Sequence, residues 1–238
     1  MKTSWSGIWR AAWRDRLMRV QYVVTLPALA LVLFCLSRFL EYTEQRQGVV
    51  LPDPLLALFQ PHDVTWLTFG LIYGALTVAI YSLLQNPARL LVAMHAYIVL
   101  VLFRIAVMFV TPLDHPQGMI LLHDPFVEEF GPARVLTKDL FFSGHTATLF
   151  LLGLIVTHPK VKSILLFGTF LVGFCVLWQH VHYTIDVLTA VGFAYCAYRI
   201  VLLLHRRIGD VESISAGQGQ PAPGESSVIT KRGLIHWN

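Results

Sequence analysis

The sequence predicts an all-α polytopic membrane protein with six transmembrane helices. Of its 238 residues, 55% are hydrophobic and only 13% are charged. A soluble domain has about a quarter of its residues charged, so the low charged fraction indicates a protein that faces lipid. The mean hydropathy of +0.62 agrees with this class.

Six apolar runs are long enough, or nearly so, to cross a bilayer, which takes roughly 20 residues per helix. They cover 21–40, 64–84, 89–111, 140–157, 161–178 and 184–204. The runs are continuous and do not alternate polar with apolar residues, which excludes the strands of a membrane β-barrel. We therefore predict a six-span membrane domain over residues 21–207.

The distribution of cations predicts the orientation of the spans, because cytoplasmic loops are enriched in Lys and Arg. With the N-terminus inside, the inner side holds Lys2, Arg10, Arg14, Arg16, Arg19, Arg89, Lys160, Lys162, Arg206, Arg207, Lys231 and Arg232. The outer loops then hold only Arg46, Arg134 and Lys138. Both termini are therefore predicted to be cytoplasmic.

The segments outside the spans differ in character. Residues 1–20 are predicted to form a cytoplasmic amphipathic segment, because Trp and other apolar residues recur at helical spacing over 5–17. Residues 208–238 are rich in Gly, Ser and Pro. Such a composition predicts a disordered cytoplasmic tail.

Charged and titratable side chains inside a span are costly and need a reason. Arg38 lies near an end of its run and is predicted to reach water, and His95 is interpreted as a packed, hydrogen-bonded core residue. Arg104 lies well inside the third run, where its charge requires an anionic partner. Asp186 or an anionic ligand could supply it, and we favour a phosphate or active-site role over a structural ion pair.

The stretch "SGHTATLF" places Ser143, Gly144 and His145 at the outer end of the fourth run. The N-terminus of a helix favours an anion through its free N–H groups and its dipole. Gly144 allows close approach of a ligand, Ser143 adds a hydroxyl, and His145 can donate a proton near neutral pH. This pattern predicts a phosphate site with an acid beside it.

The stretch "QHVHYTIDVLTA" begins the sixth run on the same outer side. If Tyr183 begins the helix, His182 and Asp186 share one face. The carboxylate could then orient the imidazole as a nucleophile or base. A metal site formed by His180, His182, Asp186 and His145 is a less favoured alternative, because two histidines separated by one residue diverge on a helix.

Four motifs resemble those of the sphingomyelin synthases, within the superfamily of phosphatidic-acid-phosphatase-like (PAP2) lipid phosphatases and phosphotransferases. They are "LPDPL" at 51–55, "FRIAVMFVTPL" at 103–113, "KDLFFSGHTATL" at 138–149 and "HVHYTIDVLTA" at 180–190. The resemblance implies a PAP2-like helical bundle and head-group transfer without a metal or cofactor. By that resemblance His182, activated by Asp186, attacks the phosphorus of a phospholipid, and His145 protonates the departing diacylglycerol.

The residues expected to bind substrate or phosphate are Ser143, Gly144, Arg104, Asp139, His180 and Tyr183. A phosphocholine- or phosphoethanolamine-type group would pass through a phospho-histidine to a lipid hydroxyl such as that of ceramide. The expected partners are a phospholipid donor and a lipid acceptor. Nucleic acid is not expected, and a homo-oligomer is left open.

The sequence also departs from these families. The Lys-x6-Arg-Pro motif of the phosphatases is missing, and Val176 stands where they carry an arginine. Fewer cations favour a phosphodiester substrate over a phosphomonoester. Hydrolysis, with water as the acceptor, is the alternative activity, and a transporter or scaffold is the alternative without catalysis. We expect a bacterial inner-membrane protein with its site on the periplasmic side.

Overall fold

The computed structural model describes residues 5–122 and 136–217, with side chains as far as residue 206. Over these ranges the regular structure is helical. The helices are α1 (Trp5–Arg14), α2 (Arg16–Glu44), α3 (Thr65–Leu84), α4 (Pro87–Val110), α5 (Gly144–Ile155), α6 (Pro159–Trp178) and α7 (Thr184–Gly217), with one 3₁₀ turn at Leu56–Leu58. The predicted all-α class is confirmed.

Five helices are long and apolar enough to cross a membrane: Arg16–Glu44, Thr65–Leu84, Pro87–Val110, Pro159–Trp178 and the Thr184–Arg206 part of α7. The predicted run 140–157 is the exception. Its helix α5 has 12 residues, which is about 18 Å of helix against a hydrocarbon core of about 30 Å. The helix at this place is therefore shorter than the predicted run 140–157.

Both ends of α5 have a local cause. At its start, Ser143 has an extended backbone, and Asp139 in the preceding segment is paired with Arg104 outside any helix. At its end, Val156 is extended, and Pro159 begins the next helix. A residue that precedes proline disfavours the helical conformation, so the chain leaves α5 before α6 begins.

Arg89, at the start of α4, contacts the end of α5. Its guanidinium donates to the carbonyl oxygen of Ile155 at 3.0 Å, and the residue is 9% exposed. The last carbonyls of a helix lack partners within the helix, so a buried donor must supply them. Arg89 was predicted only as an orienting cation of an inner loop, and it lies buried within the protein.

The predicted N-terminal helix forms over Trp5–Arg14. Asp15 then separates it from α2, because its carboxylate accepts from the backbone N–H groups of Leu17 and Met18. Trp9 donates to the carbonyl oxygen of Leu84 at 3.0 Å, and its ring lies 5.8 Å from that of Tyr22. The tryptophan face of α1 is thus partly used in packing against the protein.

His95 and Arg38, which were interpreted as structural residues, make the expected contacts. Thr25 and His95 are hydrogen bonded through Oγ1 and Nε2 at 2.7 Å. Arg38 is 62% exposed and pairs with Glu41 at 2.6 Å.

The segments that follow α2 and α4 are joined to each other. The N–H of Val49 donates to Pro112, and that of Asp114 donates to Val49, which forms one isolated parallel bridge between Val49 and Leu113. A Cβ at Gly48 would collide with the backbone of Leu113, so this close approach requires glycine. The bridge brings residues 48–53 near the loop that precedes the candidate site.

The chain divides into two compact units, Met1–Leu202 and Leu203–Asn238. The described part of the second unit is helical and ends at Gly217. Residues 208–217 of the predicted disordered tail therefore continue α7, since no proline interrupts them before Pro221. Residues 218–238 lie outside the described part.

Replacing Arg89 by methionine tests its role at the end of α5. Arg89→Met keeps a long side chain but leaves the Ile155 carbonyl without its donor. We expect a loss of roughly 1–3 kcal/mol of stability. Thermal unfolding in detergent micelles measures it, with the exposed Arg38→Met as the matched control. Equal melting temperatures for the two variants would contradict this role.

Candidate active site

Asp186 and His182 form a buried pair at the start of α7. The Oδ2 atom of Asp186 lies 3.2 Å from Nδ1 of His182 and accepts from the N–H of Tyr183 at 3.1 Å. Asp186 is 0% exposed and His182 is 3% exposed. A carboxylate can only accept, so Nδ1 carries the proton, and Nε2 of the neutral ring keeps a free lone pair.

The predicted pairing forms, although the helix begins one residue later than assumed. α7 starts at Thr184, so His182 lies in the turn before it and the side chain of Asp186 reaches back from the first helical turn. The N–H groups of Val181 and His182 both point to the carbonyl oxygen of Val176, at 2.9 and 3.4 Å. This double contact folds the link between α6 and α7 tightly and presents His182 to Asp186.

Gln179 fixes the same link from the other side and was missed by the sequence analysis. It is fully buried; its amide nitrogen donates to Thr65 at 2.8 Å, and its amide oxygen accepts from Val64 at 3.3 Å. The amide nitrogen also faces the carbonyls of Ile120 and Leu121. The signal available in the sequence was a single amide side chain directly after an apolar helix.

Asp53, from the "LPDPL" stretch, caps the start of α7. Its carboxylate accepts from the N–H of Thr184 at 2.6 Å, from the Thr184 hydroxyl at 3.0 Å, and from the N–H groups of Leu55 and Leu56. Burial acts to raise the pKa of Asp53, but these hydrogen bonds outweigh it and hold the pKa below its ordinary value. The sequence resemblance had singled out this aspartate without giving it a role.

Tyr183, the residue before the start of α7, is hydrogen bonded to two loop segments. Its hydroxyl donates to the Asp114 carbonyl at 2.8 Å and accepts from the N–H of Leu51 at 3.2 Å. The ring is 1% exposed and packs with Leu56 and Leu140, and its burial raises the pKa of the hydroxyl. The hydroxyl of this predicted substrate-binding residue is thus engaged with the backbone.

The N-terminus of α5 lies against the first turn of α7. The N–H of Ser143 donates to the backbone carbonyl of Asp186 at 3.2 Å, which joins the two motifs found in the sequence. The fully buried Ser143 hydroxyl lies 3.1 Å from that of Thr146. His145 lies in the first turn of α5, with its ring edge-on to Phe69 at 6.0 Å between centroids.

Arg104 reaches this N-terminus from α4. It pairs with Asp139 at 2.5 Å, so the partner is Asp139, and the suggestion of Asp186 is corrected. Asp186 is occupied by the turn that carries His182, whereas Asp139 lies in the segment leading into α5. A Cβ at Gly144 would collide with the guanidinium, so glycine lets the cation lie against the helix backbone.

The loop that carries Asp139 is held by Glu44 at the end of α2. Its carboxylate accepts from the N–H groups of Thr137 and Lys138 at 2.7 Å and from the Thr137 hydroxyl at 2.9 Å. Lys138 also pairs with Asp114 at 3.1 Å. These contacts position Asp139 for Arg104.

His180 is turned away from the His182 pair. Its Nδ1 donates to the carbonyl oxygen of Gln117 at 3.1 Å, and its ring lies edge-on to Phe59. Within residues 5–122 and 136–206, no group of three or more His, Cys, Asp or Glu side chains is placed to hold a metal ion.

Replacing Thr184 by valine tests the cap formed by Asp53. Thr184→Val removes one hydrogen bond to the carboxylate, and we expect a loss of about 1 kcal/mol at pH 7. Because the pKa of Asp53 is lowered in the fold, this contribution is present above its ordinary value of 3.8 and is lost as the pH falls through the lower folded value.

The stability gap between wild type and Thr184→Val should therefore narrow in acid. Thermal unfolding in micelles across pH measures it. Thr77→Val is the control, since its hydroxyl donates to the Tyr73 carbonyl within its own helix, α3. A gap that is constant with pH would contradict a role for the Asp53 charge.

Comparison with known proteins identifies part of the chain. Residues 138–203 match the family model described as PAP2 superfamily C-terminal. Comparisons with curated proteins and with solved structures gave no significant match. The matched region contains His145, His182 and Asp186 together with α5, α6 and most of the membrane part of α7. This match supports the PAP2 superfamily for the region, and with it an enzyme of the phosphatase or phosphotransferase kind.

Proposed function

We propose that the protein transfers a phospho-head-group from a phospholipid to a lipid hydroxyl through a phospho-histidine at His182. The observation that carries this proposal is the contact of Asp186 with Nδ1 of His182, which leaves Nε2 as the nucleophilic nitrogen. The buried carboxylate would also stabilise the positive charge that the ring gains on attack. The resemblance to the sphingomyelin synthases supports transfer to a second lipid.

In the first step, Nε2 of His182 attacks phosphorus and forms an N–P bond while the bond to the diacylglycerol oxygen breaks. His145 gives its proton to that oxygen. In the second step, His145 takes the proton of the acceptor hydroxyl, whose oxygen forms a bond to phosphorus. The N–P bond then breaks, and its electron pair returns to His182. Proton and charge balance over the two steps.

The anion site proposed for the phosphate is the N-terminus of α5 beside Arg104. The helix dipole and the first N–H groups favour negative charge there. Arg104 already shares its charge with Asp139, which reduces the net positive charge offered to a ligand. A phosphodiester carries one negative charge fewer than a phosphomonoester dianion, so this site suits a diester better.

The membrane side of the reaction follows from the cation distribution of the sequence. We place the termini in the cytoplasm and the site on the outer face of a bacterial inner membrane. The acceptor is then a lipid hydroxyl, of ceramide or a similar lipid, that is presented in the outer leaflet.

The products of labelled phospholipids test the function. The protein in proteoliposomes receives head-group-labelled phosphatidylethanolamine or phosphatidylcholine together with ceramide, or with diacylglycerol whose acyl chains differ from those of the donor. We expect label in a new lipid, without release of water-soluble phospho-alcohol. We expect His182→Gln to abolish transfer and Asp186→Asn to lower its rate by roughly a hundredfold or more.

The matched control is His62→Gln, which changes an exposed histidine whose Nδ1 is hydrogen bonded to the Gln60 carbonyl. It should keep wild-type activity. Water-soluble phospho-alcohol as the sole labelled product would replace transfer by hydrolysis. Full activity of His182→Gln would overturn the mechanism in both forms.

A further inference from the structure

A cavity of about 860 Å³ lies beside the catalytic turn. Its walls come from the segment after α2, the segment after α4, and the link between α6 and α7. These contribute residues within 50–61, residues 116–118, and the pair His180 and Tyr183. His182 itself is 3% exposed and does not line the cavity, but its neighbours in the turn between α6 and α7, His180 and Tyr183, do.

The formal charge among the described residues that line this cavity is negative and comes from Asp53. Asp53, His180 and Tyr183 are the ionisable residues among the described residues that line it, and neither Lys nor Arg is among them. The hydrogen bonds that lower the pKa of Asp53 keep its carboxylate ionised at neutral pH. A ligand group with positive charge is favoured here, and a second anion is disfavoured.

His180 adds an acceptor to this wall. The Gln117 carbonyl can only accept, so Nδ1 of His180 carries the proton and Nε2 of the neutral ring carries a lone pair. The side chain belongs to a residue that is 6% exposed, and Nε2 has no hydrogen-bond partner within the described residues. A buried acceptor left without a donor is costly, which indicates a ligand that supplies one.

Asp53 can also accept one further bond. Its Oδ1 atom accepts from Leu55, Leu56 and Thr184, whereas Oδ2 accepts only from the N–H of Thr184 within the described residues. A carboxylate oxygen has two lone pairs, so Oδ2 retains capacity for a donor. The two groups together suit a ligand that is both cationic and a hydrogen-bond donor.

We propose that this cavity binds a primary ammonium group, supplied by the amino-alcohol head group of the phospholipid donor. The inference rests on the proposed function for the identity of the donor. A quaternary ammonium carries the charge but has no N–H for His180. A polyol head group has donors but no charge for Asp53. A primary ammonium provides both.

Binding of soluble head groups to the intact protein tests the inference separately from turnover. Isothermal titration calorimetry in detergent micelles uses glycerophosphoethanolamine, glycerophosphocholine and glycerophosphoglycerol, which share the phosphodiester and differ in the head group. The titrations are made on wild type and on His182→Gln, which cannot form the phospho-histidine. We expect glycerophosphoethanolamine to bind roughly fivefold more tightly than glycerophosphoglycerol, with glycerophosphocholine between them.

Exposed Gln60 provides the charge variants, because it lines the cavity without being buried. Gln60→Lys places a competing ammonium there and should reduce the preference for glycerophosphoethanolamine to about one. Gln60→Glu should increase the preference. Gln47→Lys, an exposed position after α2 that does not line the cavity, should leave it unchanged.

His180→Asn tests the donor requirement. His180 has a φ of 56°, a conformation that asparagine tolerates, and the asparagine amide can still donate to Gln117. This variant lacks the Nε2 acceptor, so its affinity for glycerophosphoethanolamine should fall to that for glycerophosphocholine.

Equal or tighter binding of glycerophosphoglycerol, or a preference that survives Gln60→Lys, would overturn the inference. If His182→Gln binds glycerophosphoethanolamine preferentially but wild type transfers no head group, the ammonium site is supported and the proposed function is rejected. If wild type transfers the head group but the titrations show no preference for glycerophosphoethanolamine, the proposed function is supported and the ammonium site is rejected. Titration with free ethanolamine distinguishes a site for the amine alone from one that also needs the phosphodiester.

Discussion

The hydrogen bond between Asp186 and His182 is the interaction on which the site depends. It fixes which nitrogen of the imidazole is available, and both side chains are excluded from water. An isolated buried carboxylate would be very costly, so the N–H of Tyr183, which donates to Asp186, contributes to the same stabilisation. The surrounding contacts keep this geometry in place: Asp53 caps the helix start, and the N–H of Ser143 attaches the second motif to the Asp186 backbone.

The short helix α5 begins beside that pair, since the N–H of Ser143 donates to the Asp186 carbonyl. Its N-terminus begins at Gly144, where the guanidinium of Arg104 lies against the backbone, and its last turn is supported by Arg89. A longer helix would carry the segment containing Asp139 into regular structure and remove it from Arg104. The two arginines of α4, Arg104 and Arg89, thus contact opposite ends of α5.

The parts of the fold that depend on local pattern could be predicted from the sequence. Continuous apolar runs identified the helices, and the four-residue spacing of His182 and Asp186 identified their contact. Contacts between distant segments could not be predicted in this way. The Asp53 cap on Thr184, the Arg104 pair with Asp139 and the burial of Gln179 each join residues more than thirty positions apart. Their partners are chosen by packing, and one sequence contains no signal for that choice. The shortness of α5 could not be predicted for the same reason, since the residues that flank it are apolar and their pattern predicts helix.

The proposed chemistry forms the covalent bond to phosphorus at one atom, Nε2 of His182. Rapid quenching of a single turnover in alkali, where phospho-histidine is stable, followed by mass spectrometry and phosphorus NMR, locates any covalent adduct. The account predicts a head-group phosphoryl adduct on Nε2 of His182 that disappears when the lipid acceptor is added before quenching. An adduct on Nδ1 of His182 or on His145, or turnover without any phospho-histidine, would contradict it.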